Sequence, residues 1–181
     1  MRHQVRRTDP PTVTGNIGDI GGIAFRRPTE DDYTPIIRVV DDWWGGRNLS
    51  KLLPRLWFQH FTGTSWIAET ADGRLAGFLI GFLSPDHPDT AYCHMLATNP
   101  NLRRAGLGAA LYERFFGDAR AAGRSHVKAV TWPGNRISLA FHRALGFEIA
   151  KSPGSQNLYG TPAQAGYDFD REDRTLMVRR I

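Results

Sequence analysis

Gly106 and Gly108 stand just behind a pair of arginines, in the run Arg103-Arg104-Ala105-Gly106-Leu107-Gly108-Ala109. The run opens a segment in which Leu107, Ala110, Leu111, Phe115, Ala119 and Ala122 recur at helical spacing, with Gly123 as a C-terminal stop. The first N–H groups of a helix have no partner inside it, and the macrodipole puts partial positive charge there. Glycine removes the side chains that would hold an anion away, and the two guanidinium groups add charge. The chemistry is that of a diphosphate cradle. The same residues would equally serve as a softened turn between strand and helix. A P-loop needs Lys-Ser/Thr after its last glycine, where Ala109-Ala110 stands; a dinucleotide fingerprint needs a third glycine, where Leu111 stands.

A second candidate lies just upstream. His94 falls within Thr90–Thr98, a run that reads as a strand ended by Pro100. Strict alternation would put Tyr92, His94, Leu96 and Thr98 on one face and Cys93, Met95 and Ala97 on the other. A neutral imidazole titrates near working pH and can take a proton, although a lone strand histidine also serves in packing. Cys93 has no base marked for it and reads as an inert buried thiol.

Composition narrows the classes. The hydrophobic share of 41% in 181 residues supports a globular chain with a real core. One cysteine excludes an internal disulfide and fits a reducing cytoplasm. No Cys/His cluster has metal-ligand spacing, so no metal is expected. The apolar runs are too short for a bilayer, and the basic start has no apolar segment behind it, so neither membrane nor leader is expected. The net charge of +5 comes from arginines spread along the chain, which ranks nucleic acid low as a partner.

The elements that must hold these residues follow in order. Residues 1–22, with Pro10-Pro11 and several glycines, read as an N-terminal arm. Strand one starts at Ile23, and Thr29 caps a helix with Glu30, Asp31 and Asp32 in its first turn. A second helix is expected over Leu49–Phe61, interrupted by Pro54. Strands over Thr64–Glu69 and Arg74–Leu83 flank the Asp72-Gly73 turn. After the strand over Thr90–Thr98 and the glycine-bearing helix come a strand over Val127–Thr131, a helix over Asn135–Leu145, a short strand at 147–150, a loop to about 170 and a closing strand over Arg174–Arg179. This is a mixed α/β sheet.

That order, the Arg-x-x-Gly-x-Gly loop and the segment Asn135 to Leu145-Gly146-Phe147 together resemble the GNAT superfamily of acyl-CoA N-acyltransferases over 23–181. The resemblance implies a mostly antiparallel seven-stranded sheet with about four helices, strands four and five splayed apart. It implies acetyl-CoA as co-substrate and an amine of a small molecule or peptide as acceptor. Leu96, Ala97 and Thr98 would hold the pantetheine arm and Arg103 to Ala109 the pyrophosphate; on the second cofactor helix Asn135 would bond the pantetheine amides, and Phe141 is a further cofactor-binding residue. Asn135 would equally act as an N-cap, and Leu96 and Ala97 as core. His94 would deprotonate the amine. His142 stands where many relatives carry a tyrosine acid, and Tyr92 is a further phenol nearby. The acceptor would meet Asp41, Asp42, Trp43 and Trp44, through ion pairing and cation–π contact, although the tryptophans would also suit the core. The missing tyrosine keeps a cofactor-binding regulatory module as the alternative, and a homodimer is compatible with the pattern.

Overall fold

A computed structural model describes residues 21–102, 106–168 and 171–181. Its main sheet has seven strands in the order β1-β2-β3-β4-β5-β9-β6. These are β1 (Ile23–Arg26), β2 (Trp66–Thr70), β3 (Leu75–Leu83), β4 (Thr90–Thr98), β5 (His126–Thr131), β6 (Glu148–Ile149) and β9 (Thr175–Arg180). All pairings are antiparallel except β4 with β5. The helices are α1 (Tyr33–Trp43), α2 (Trp57–His60), α3 (Leu107–Ala121) and α4 (Arg136–Ala144). The seven-stranded mixed sheet with four helices is the architecture the residue pattern implied.

Two apolar layers sandwich the sheet. Leu107, Leu111, Tyr112, Phe115, Phe116 and Ala119 of α3 pack with Cys93, Val127 and Met177 on one face. Ile36 and Val40 of α1, with Leu53 and Phe58, pack on Ile67, Phe78, Ile80, Met95 and Ala97 of the other. Each fully buried Leu, Ile or Phe stabilises the fold by about 1.5–3 kcal/mol. The buried stripe of α3 is wider than its spacing implied. Tyr112 and Phe116 are fully buried, because α4 and Phe147 cover the flank that α3 turns away from the sheet. Asp118, at the edge of that stripe, accepts both Arg27 guanidinium nitrogens at 2.7 Å and Trp66 Nε1 at 2.8 Å, which ties β1 and β2 to α3.

Three local expectations are corrected. The helix expected over Leu49–Phe61 is a single turn at Ser50–Leu52 and a four-residue α2, because Pro54 between them denies the ladder an N–H. The chain at Thr29 enters a tight turn over Glu30–Asp32 before α1 begins. The long loop before β9 contains a hairpin of its own, β7 (Gln156–Leu158) with β8 (Thr161–Ala163), whose turn residues Tyr159 and Gly160 both adopt positive φ. Short strands with weak alternation leave little periodic signal.

Candidate active site

The chemistry gathers where the sheet opens. β4 and β5 pair only from Thr90–His126 to Tyr92–Lys128. Beyond that β5 stays with β9 up to Thr131–Thr175, while β4 stays with β3 up to Gly77–Thr98. A wedge therefore opens between two parallel strands, with the β4 edge from Cys93 onward unladdered toward β5. Backbone groups left in that state need partners, and an extended ligand can supply them.

His94 sits at the apex of this wedge, on a β-bulge. The β3–β4 register runs Ile80–Met95 and then Gly81–Cys93, so His94 is the extra residue. The bulge overturns the strict alternation expected for this strand. Cys93 faces α3, whereas Met95 and Ala97 face α1. Leu96 and Thr98 correspondingly turn toward α3: a Cβ at Gly108 would lie 3.6 Å from Leu96, and one at Gly77 3.3 Å from both Thr98 and Leu107. One inserted residue shifts the period-2 phase, and everything after it changes face. Gly81 permits this geometry, since a Cβ there would lie 2.7 Å from the Phe115 ring.

The His94 ring stacks on Trp57 at 4.2 Å, and Nε2 lies 2.8 Å from the Leu52 carbonyl. A carbonyl only accepts, so Nε2 carries the proton and Nδ1 is the basic nitrogen. Burial lowers the imidazole pKa below its ordinary value, against the opposing pull of the Leu52 carbonyl and Asp168. The ring is therefore neutral at pH 7. Tyr92, on the same side, stacks on Phe82 at 5.5 Å, and burial drives its phenol pKa well upward. It stays protonated and has no hydroxyl partner among the described residues.

His142 does not point an acidic proton at the wedge, which corrects its expected role. Its Nδ1 lies 2.8 Å from the Ser138 carbonyl and so must donate to it; its Nε2 then accepts from the Tyr112 hydroxyl at 2.8 Å. Both nitrogens are committed inside a buried cluster formed by Tyr112, Phe116, Phe141 and Phe147. Burial lowers the His142 pKa, so the ring is neutral. The Cys93 thiol reaches the same Tyr112 hydroxyl, and burial pushes it up to about 12, which leaves no thiolate for acyl transfer.

Below the wedge lies the N-terminus of α3. Gly106 adopts φ 75° there and offers no side-chain cap, and no described residue accepts from the N–H groups of Leu107, Gly108 or Ala109. Arg103, Arg104 and Ala105 lie outside the described residues. Gly108 has a packing reason as well: its Cβ would come within 3.0 Å of Phe141 of α4. Asn135 spends its side-chain oxygen on the Ser138 N–H at 3.1 Å as the N-cap of α4, which leaves its amide nitrogen to donate elsewhere.

The four residues expected at the acceptor site do not converge. Asp41 accepts from the N–H groups of Leu49 and Ser50 at 2.7 Å each, and from the Ser50 hydroxyl at 2.9 Å. Burial raises its pKa, but these three bonds outweigh it and hold the carboxyl below its usual range. Asp41 therefore organises the loop after α1 rather than meeting an amine. Trp43 stacks on Phe78 at 6.3 Å in the core, and Asp42 is exposed on the outer surface. Successive helical residues point about 100° apart, so four in a row cannot share a target. Trp44 does line a cleft of about 380 Å³, facing Arg47, Trp132, Asn135, Arg136 and Ile137. The sequence reading missed Trp132 and Arg136; the only local signal was Trp132-Pro133-Gly134, where a strand must turn sharply.

Residues 30–147 match the acetyltransferase (GNAT) family. The chain belongs to that family. Among curated relatives, it is 32% identical to the L-2,4-diaminobutyric acid acetyltransferase of Nocardia farcinica over 138 residues, which span 74% of this chain and 71% of that one. Its fold matches Ard1 from Thermoplasma volcanium at a TM-score of 0.72, with 19% identity over 89% of this chain and 99% of the other. It also matches the diaminobutyrate acetyltransferase EctA from Paenibacillus lautus, solved with its substrate and coenzyme A, at a TM-score of 0.61, with 21% identity over 86% and 93%.

As a GNAT enzyme the protein is an acetyl-CoA-dependent N-acetyltransferase. Its residues fit that co-substrate. The unladdered β4 edge offers backbone groups to an extended arm, and the bare first turn of α3 offers N–H groups to phosphates. Among the described residues no group of three His, Cys, Asp or Glu could hold a metal, and no helix is long and apolar enough to cross a membrane.

Proposed function

We propose that the acceptor is a small diamino acid, L-2,4-diaminobutyric acid or a near analogue, acetylated on one primary amine. The observation that carries this reading is the 32% identity with the Nocardia farcinica enzyme across most of both chains. The neutral imidazole at the apex of the β4–β5 wedge supports the chemistry.

In this reading His94 Nδ1 takes a proton from the acceptor ammonium and frees the amine lone pair. When bound, acetyl-CoA supplies the thioester carbonyl that this amine attacks. A β4 backbone N–H at Leu96 or Ala97 donates to the oxygen where negative charge grows. The amine nitrogen sheds its second proton as the amide forms, and that proton neutralises the departing thiolate. No side-chain acid is then required, in keeping with the committed nitrogens of His142. The first turn of α3, with Arg103 and Arg104 before it, holds the pyrophosphate. Leu96, Ala97, Thr98, Asn135 and Phe141 line the pantetheine path. A cytoplasmic setting suits an acetyl-CoA-dependent enzyme, and a homodimer is the assembly to test by light scattering.

Thiol release measured across an amine panel tests the proposal. 2,4-Diaminobutyrate should give the highest kcat/KM, above monoamines and peptide N-termini. Equal turnover of peptides, or none of the diamino acid, would overturn it.

A further inference from the structure

The cleft at the mouth of the wedge has a chemical sign. It is walled by the loop after α1, which brings Trp44 and Arg47, and by the β5–α4 corner, which brings Trp132, Asn135 and Arg136. Among the described residues two guanidinium groups line it and no carboxylate does. Neither Arg47 nor Arg136 pairs with an acid among the described residues.

Arg47 is also the better placed of the two. Its guanidinium lies over the Trp132 ring at 5.6 Å, and Tyr159, from the β7–β8 turn, packs against the same indole at 5.0 Å. Arg47 is half-buried, whereas Arg136 is exposed. An aromatic face restrains a guanidinium while leaving its in-plane N–H fork free for a bidentate acceptor. The corner is itself built for this indole, since a Cβ at Gly134 would overlap the Trp132 ring.

We propose that Arg47, held on Trp132, is the anchor for the carboxylate of the acceptor, and that it makes the enzyme select an amino acid over the matching amine. This deepens the diamino acid reading and rests on it. The arrangement separates the two tasks of recognition. The guanidinium grips the carboxylate in the cleft, while the amine to be acetylated reaches toward the bulge at His94. An anion-accepting cleft could alternatively serve a phosphate of the cofactor, and the experiment distinguishes the two sources.

The test compares 2,4-diaminobutyrate with 1,3-diaminopropane, the same molecule without its carboxylate, in wild type, Arg47→Met and Arg47→Lys. Wild type should prefer the amino acid by about 10- to 100-fold in kcat/KM, the worth of a charge-assisted bidentate contact. Arg47→Met should collapse that ratio toward one, and Arg47→Lys should keep part of it. Fluorescence titration of the tryptophans with 2,4-diaminobutyrate gives a readout independent of turnover, and its Kd should rise by a similar factor in Arg47→Met. A wild type that acetylates both acceptors equally, or a preference that survives Arg47→Met, overturns the assignment while leaving the diamino acid reading intact. A raised KM for acetyl-CoA with the acceptor ratio unchanged would give Arg47 to the cofactor instead and equally overturn it. Turnover of neither compound would be the failure of the parent reading.

Discussion

Tyr112→Phe deletes one hydroxyl from the core without changing its shape, and the structure dictates the consequence. The hydroxyl donates to His142 Nε2 at 2.8 Å, and His142 Nδ1 is already spent on the Ser138 carbonyl. The variant leaves a buried imidazole nitrogen with a lone pair and no donor. Such an orphan costs about 1–3 kcal/mol. For a chain of this size each kcal/mol lowers Tm by about 2–4 °C, so the drop should fall between about 2 and 12 °C. His142→Leu should cost a comparable amount, because it leaves the Tyr112 hydroxyl with only the weak Cys93 thiol as partner. The double variant removes donor and acceptor together and should be less damaging than the two singles summed, with a coupling of about 0.5–3 kcal/mol. Calorimetry on the four proteins reads the cycle. Steady-state thiol release should show kcat held near wild type in Tyr112→Phe, because the cluster has no proton aimed at the thioester. A fall in kcat of about 100-fold or more with an unmoved Tm would refute this reasoning and make Tyr112 and His142 a proton-donating pair.

Two further outcomes follow from the geometry. His94→Gln should lower kcat/KM by about 100-fold or more. It should also flatten the acid limb of the pH profile: burial holds the His94 pKa below the ordinary 6.5, so the basic form predominates at pH 7 and is lost as pH falls through the depressed value; an unchanged limb would remove His94 from the reaction. Gly106→Ala, at φ 75°, should cost about 1–2 kcal/mol by thermal melt and raise the KM for acetyl-CoA, and an unaltered Tm would show that the backbone there is free to leave the left-handed region.

Much of the architecture was legible because it is written in local period. The stripes of α3 and α4, the Asp72-Gly73 turn and the long strands β3 and β4 each carry a repeat that a single pass can find. Asn135 could be named as a cap for the same reason, since capping is a contact between residues three apart.

What escaped is non-local. Which face of β4 each side chain occupies turned on one bulged residue, His94, and nothing in its own strand marks it; Gly81 on β3 and Phe115 on α3 make room for the shift. His142 looked available until Tyr112, 30 positions earlier, claimed its second nitrogen. Asp41 looked like a ligand for an amine until the chain folded back and spent its oxygens on Leu49 and Ser50. The cleft joins Arg47 to Trp132, which lie far apart along the chain. The sequence by itself determined the principal strands and helices, their order and hence the family, because hydrophobic period and capping act within a few residues. Only the tertiary structure decided which polar groups remain free to act, because a hydrogen bond made across the fold spends a group that the chain, read along its length, shows as unspent.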